Sequence, residues 1–172
     1  TIAGFLAAAG WSVRALAVTA TEAAEPAPVR ELLAAAGLTA TVRAPNRSVY
    51  KHDRPVLEFT DPRGIHYQLL DTGAHTAFSW HEAPSQFNRL YQRELADHKP
   101  DIVFGYGGHS DDVERWARAR AAGCKVVFGL RNHGYKHGAA FLHDLDGVLT
   151  CSEFLSGVYR EALGLRSTAL PS

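Results

Sequence analysis

The sequence predicts a doubly wound α/β domain, in which a mostly parallel sheet carries helices on both faces and a β-hairpin is inserted. Short apolar strands alternate with amphipathic helices, which is the pattern of parallel sheets covered by crossover helices. A glycine follows several predicted helices, where the chain has to leave the helical conformation. The length of 172 residues fits one domain, and a hydrophobic content of 46% is ordinary for a globular chain. We therefore expect residues 1–172 to form a single domain.

The first half of the chain contains the predicted hairpin. Its turn is Asp61-Pro62-Arg63-Gly64, where proline at the second position and glycine at the fourth favour a type I turn. The predicted elements, in order, are a helix over residues 1–9, a strand over 12–20, a helix over 29–36, a strand over 38–43, hairpin strands over 56–60 and 65–70, and a helix over 86–97.

The second half alternates strands and helices more regularly. Ser110 and Ser152 each stand where a residue would cap the N-terminus of a helix. The predicted elements are a strand over residues 102–106, a helix over 110–122, a strand over 125–130, a short helix over 138–143, a strand over 147–151, a helix over 153–163 and a strand over 167–170. Because doubly wound domains open with a strand and this chain opens with a helix, we expect a first strand upstream. The chain stops directly after a predicted strand, so we also expect a further domain downstream.

Charge and cysteine content exclude several classes of protein. Lys plus Arg and Asp plus Glu are 18 each, so the formal net charge is zero and no global field attracts nucleic acid. No apolar run reaches the length of a membrane span, while peripheral membrane association is left open. The two cysteines, Cys124 and Cys151, are too few for a disulfide scaffold and indicate a reduced, cytoplasmic protein.

Polar and glycine residues follow three predicted strands of the second half. If these strands are parallel, their carboxyl ends lie at one edge of the sheet, where ligands bind in open α/β folds. The candidate binding and catalytic residues, in chain order, are Gly107, Gly108, His109 and Ser110, then Arg131, Asn132, His133 and Tyr135, and finally Ser152 and Glu153.

The three segments differ in what they can do chemically. Gly107 and Gly108 before a helix start let backbone amides approach an anion, although an ordinary strand-to-helix turn has the same pattern. The Arg131 guanidinium can bind phosphate or carboxylate as a fork, and the His133 imidazole can move a proton near neutral pH. The alternative is a solvated loop whose arginine pairs with a neighbouring carboxylate. Ser152 is not in a G-x-S-x-G context, so we expect a helix cap rather than a hydrolase nucleophile.

The histidines do not form a recognisable metal motif. His133 and His137 are four residues apart, with His143, Asp144 and Asp146 beyond them. The sequence has no H-E-x-x-H and no cysteine pair to complete a site, so we expect no bound metal. A metal-dependent hydrolase that uses this cluster stays a less favoured alternative, which bound zinc would support.

Four motifs of the second half occur in an order that is similar to that of a known protein family. The motifs are a "PD-hydrophobic" strand over residues 100–104, a "VV-hydrophobic" strand with a polar loop over 126–132, "D-x-hydrophobic-x-x-S-x-F" over 146–154, and a helix ending in Leu163-Gly164. In this order they resemble the amino-terminal half of retaining glycosyltransferases of the GT-B fold, family 4 type. The resemblance covers residues 99–172, with a looser match over 1–18.

The resemblance implies a two-domain enzyme with Rossmann-like domains. The amino-terminal domain of the family mainly binds the acceptor, and the carboxy-terminal domain binds the nucleotide-diphosphate sugar and carries a pair of glutamates. The reaction implied is hexosyl transfer with retention to a saccharide or other hydroxyl acceptor, without a metal or other cofactor. The family often has histidine after the second strand, where this chain has Arg131 followed by Asn132 and His133, so either Arg131 or His133 takes that role. Without its second domain, the chain is expected to be inactive.

A binding module without catalytic activity is the main alternative. A doubly wound domain that recognises a small anion would use the same strand ends and the same arginine. The two hypotheses differ in what they require after residue 172, because the transferase needs a second Rossmann-like domain with an E-x₇-E pattern.

Overall fold

The computed structural model describes residues 1–18, 28–45, 48, 53–71, 84–105, 110–131 and 139–170. For residues 84, 110 and 111 it describes the backbone only. The chain divides into two compact units, Thr1–Phe87 and Asn88–Ser172, and each unit has its own sheet.

Both units contain helices and strands, and the two alternate throughout the second unit, which confirms the α/β class. The helices are α1 Ile2–Ala8, α2 Val29–Ala35, α3 Pro84–His98, α4 Ser110–Ala121, a 3₁₀ helix Ala139–Asp144 and α5 Glu153–Leu163. The strands are β1 Arg14–Val18, β2 Thr41–Arg43, β3 Val56–Thr60, β4 His66–Leu70, β5 Ile102–Gly105, β6 Lys125–Leu130, β7 Gly147–Thr150 and β8 Thr168–Ala169. None of the described helices is both long and apolar enough to cross a membrane.

The sheet of the first unit is mixed, with the strand order β1-β4-β3-β2. The predicted hairpin is confirmed, because β3 and β4 pair antiparallel from Val56–Leu70 to Thr60–His66. The sequence predicts the hairpin as an insertion, but its strands occupy the centre of this sheet. β4 also pairs parallel with β1 over five residues, because the hairpin leaves one edge of β4 open for a parallel strand.

The hairpin turn is held by the residues that predict it. The Gly64 N–H donates to the Asp61 carbonyl at 2.9 Å, and the Asp61 N–H donates to the Ile65 carbonyl at 3.0 Å. Gly64 has φ of +82°, a left-handed conformation that favours glycine. The loop is therefore a three-residue connection in which a tight turn is followed by a left-handed residue.

The sheet of the second unit is all-parallel, with the strand order β5-β6-β7-β8. Each strand pairs with the next strand in the chain, so the order runs in one direction without reversal. Right-handed crossovers between such neighbours place their helices on the same face of the sheet. The sequence predicts helices on both faces of the sheet. The described helices of this unit instead contribute to one core. A second face receives crossover helices only where the strand order reverses, and the order of these strands does not reverse.

That core is built on alternate residues of β6. Val126, Phe128 and Leu130 are buried. The ring of Trp116 on α4 meets Phe128 edge-on at a centroid distance of 5.0 Å and lies 5.1 Å from Phe141 of the 3₁₀ helix. Buried side chains from α3 and α5 join the same cluster, which holds these helices against the sheet.

Candidate functional site

The candidate site is the carboxyl edge of the all-parallel sheet in the second unit. Gly105 of β5 pairs with Phe128 of β6, Leu130 pairs with Thr150 of β7, and Thr150 pairs with Ala169 of β8. All four strands therefore run toward the same edge. The sequence predicts a common edge for the first three of them. The segment after each strand begins at this edge.

Arg131 and Cys151 are the first residues beyond two neighbouring strands. They directly follow the paired residues Leu130 and Thr150, and adjacent strands are about 4.8 Å apart. Both residues are exposed, and Cys151 is a free thiol. The edge therefore carries an exposed arginine and an exposed cysteine on neighbouring strand ends.

Ser152 fixes the start of α5. Its Oγ accepts a hydrogen bond from the Leu155 N–H at 3.2 Å, which confirms the predicted N-cap. Thr150 is 1% exposed, and its hydroxyl donates a hydrogen bond to the Ser152 carbonyl at 3.2 Å. This bond stabilises the turn between β7 and α5. The Ser152 hydroxyl keeps its own proton for a further hydrogen bond, because capping uses only the oxygen.

The first turn of α5 presents side chains to solvent. Glu153 is exposed and Phe154 is 72% exposed, while Leu155 is buried against the sheet. With Arg131 and Cys151, the described part of this edge offers a cation, a carboxylate, a thiol and an aromatic ring. Such a mixture can hydrogen-bond polar groups and contact an apolar ring face.

Hydrogen bonds to Arg115 stabilise the start of α4, which lies at the same edge. The Arg115 guanidinium donates at 2.7 Å both to Asp112 Oδ1 in the first turn of α4 and to Asn88 Oδ1 on α3. The Tyr91 hydroxyl donates to the Arg115 carbonyl at 3.0 Å. Burial raises the pKa of Tyr91 to about 12, so the phenol keeps the proton that it donates. These bonds hold the α4 terminus in place relative to α3.

Gly105 allows β5 to end directly below α4. A Cβ atom at this position would lie 3.2 Å from Trp116 Nε1, which is tighter than ordinary van der Waals contact. The absence of a side chain therefore lets the indole pack against the end of β5.

The structure places three of the predicted site residues at the edge with described side chains, namely Arg131, Ser152 and Glu153. Sequence reasoning did not select Cys151 and Phe154, although both belong to the segment that follows β7, and their position there was the available signal. Ser110 is predicted as the N-cap of a helix, and its backbone forms the first residue of α4. The other predicted residues lie outside the described part of the chain, and they are Gly107, Gly108, His109, Asn132, His133 and Tyr135.

No metal-binding group of three or more His, Cys, Asp or Glu side chains is present within the described ranges. Of the predicted histidine cluster, His143 and Asp144 belong to the 3₁₀ helix. Asp146 instead accepts a hydrogen bond from the Val126 N–H at 2.8 Å and joins the beginnings of β6 and β7, at the end of the sheet away from the candidate site. His133 and His137 lie outside the described residues.

Comparison of the chain with models of known protein families and with curated proteins gives no match.

Proposed function

We propose that this chain is the amino-terminal, acceptor-binding half of a retaining glycosyltransferase with Rossmann-like domains. The observation that carries the proposal is the parallel register of β5 to β8, which gives the segments after three strands a common edge. This edge is where open parallel sheets bind ligands.

The motifs that resemble the glycosyltransferase family occupy neighbouring elements of this sheet. Residues 100–104 lead into and form most of β5, and residues 126–132 include most of β6 and the start of its following loop. Residues 146–154 run through β7 into the first turn of α5. Their position on neighbouring parallel strands supports assigning the three segments to one site.

In the proposed reaction, a hexosyl unit passes from a nucleotide-diphosphate sugar to a hydroxyl of a saccharide or other acceptor, with retention. Arg131, with Asn132 and His133, would lie near the transferred sugar and the acceptor. Ser152 and Glu153, at the start of α5, would form hydrogen bonds with hydroxyl groups of the bound sugar. Negative charge that develops on the leaving diphosphate needs preorganised donors, which we assign to a carboxy-terminal domain. The chain by itself is then a binding half without turnover.

The proposal also assigns the protein to the cytoplasm. Both cysteines are free thiols, and such thiols are typical of a reducing compartment.

A small-anion-binding module is the second candidate, and Arg131 favours it. Arg131 is exposed at the end of β6, and the neighbouring strand β7 leads into α5. An arginine and a helix N-terminus at one sheet edge would bind phosphate without any chemical step. Binding measurements with donor sugars, acceptor sugars and simple anions distinguish the two functions. Only the transferase half is expected to bind an uncharged hexoside.

The test is a calorimetric titration of the chain with phenyl hexosides, nucleotide-diphosphate sugars, inorganic phosphate and pyrophosphate. We expect a phenyl hexoside to bind and Arg131→Ala to weaken that binding by about tenfold or more, because a hydrogen bond to a charged group contributes roughly 1.5–3 kcal/mol. Lys125→Ala is the matched control, since Lys125 is an exposed cation at the opposite end of β6, and it should leave the affinity unchanged.

The remaining outcomes separate the candidates. Binding of phosphate without any hexoside would favour the anion-binding module. Equal losses in both variants would remove the carboxyl edge as the binding site. Glycosyl transfer by this chain alone would overturn the proposal that it is one half of the enzyme.

A further inference from the structure

We draw no further inference here: the strongest candidate, the exposed apolar surface of α1 and the following Trp11 in the first unit, where Phe5 and Trp11 are 80% and 50% exposed, carries nothing because no feature of the described residues shows what covers it.

Discussion

The two cysteines differ in their access to solvent. Cys124 is 5% exposed before β6, at the amino end of the parallel sheet, and burial, together with the charge of Asp101, raises the pKa of its thiol. Cys151 is exposed at the carboxyl edge. Because the thiolate is the nucleophile, both the burial of Cys124 and its raised pKa slow the reaction of this thiol.

We predict that iodoacetamide modifies one thiol of the folded chain quickly and the second only after unfolding. At about pH 8 the fast site should be Cys151, as intact mass and peptide mapping would show. The variant Cys151→Ser should lose the fast phase and keep the slow one. Fast modification of Cys124 in the folded chain would contradict the burial on which this prediction rests.

The Asp61 carboxylate accepts several hydrogen bonds within the hairpin turn. It accepts hydrogen bonds from the N–H groups of Arg63 and Ile65 at 2.9 and 3.0 Å, and from the Arg63 guanidinium at 2.6 and 2.8 Å. Burial by itself would raise the pKa of Asp61, but these donors and the positive charge of Arg63 outweigh it and lower the pKa below its ordinary value of 3.8.

This turn should therefore make stability depend on pH in acid. Since the folded pKa lies below the unfolded value of 3.8, the contribution of Asp61 is complete above that pH and is lost as pH falls through the folded pKa. We expect Asp61→Asn to lower the urea midpoint at neutral pH and to flatten its decline in acid. Asp97→Asn, at an exposed position of α3, is the control. If both variants followed the wild-type curve, the turn would not couple protonation to folding.

At the scale of single elements, α5 shows how local chemistry sets both ends of a helix. Ser152 caps its N-terminus in an extended conformation, and Gly164 ends it with φ of +64° in the left-handed region. Leu155 and Tyr159 are four residues apart and buried, so one face of the helix packs onto the sheet. The turn into α5 is the part that reaches the candidate site.

Removing the cap should destabilise the second unit. We predict that Ser152→Ala lowers the free energy of unfolding by about 1 kcal/mol, because the Leu155 N–H loses its acceptor. Ser152→Asp, which supplies another side-chain oxygen, should restore most of the loss. Urea unfolding followed by circular dichroism measures both, and an alanine variant as stable as the aspartate variant would show that the hydroxyl does not act as a cap.

The sequence predicts the correct bounds for elements whose ends are set by local signals. This holds for β3, β6 and α5, where turn residues, apolar alternation and caps are all local. β2 was predicted over residues 38–43 but pairs only over Thr41–Arg43, because the partner strand decides how much of a segment becomes a strand. The parallel pairing of β1 with β4 joins distant parts of the chain, and no local pattern predicts it.

For the candidate site, the sequence predicts which residues come after strands but not what surrounds them. The positions of Arg131 and Ser152 result from the ends of β6 and β7. The exposure of Phe154 depends on which face of α5 packs against the sheet, and this is a tertiary property. The roles of the residues after β5 and β6 remain predictions.

At the scale of the whole molecule, the direction of strands matters more than any single residue. The parallel strands β5 to β8 separate the second unit into an amino edge and a carboxyl edge. Cys124 precedes β6 and Cys151 follows β7, so one thiol belongs to each edge. The protein thus contains a chemical reporter at the proposed binding edge and a buried reference thiol at the other.

A ligand bound at the carboxyl edge should shield Cys151 from alkylation. With a phenyl hexoside at about ten times its Kd, the rate of Cys151 modification by iodoacetamide should fall about tenfold, because only the unliganded fraction reacts. The Arg131→Ala variant should need proportionally more ligand for the same protection, whereas Lys125→Ala should behave as the wild type. The rate is measured by mass spectrometry at low reagent concentration, with Cys124 remaining unmodified as the sign that the chain stays folded. A hexoside that binds by calorimetry but leaves the Cys151 rate unchanged would place the ligand away from this edge, and the parallel register would then no longer support the proposed function.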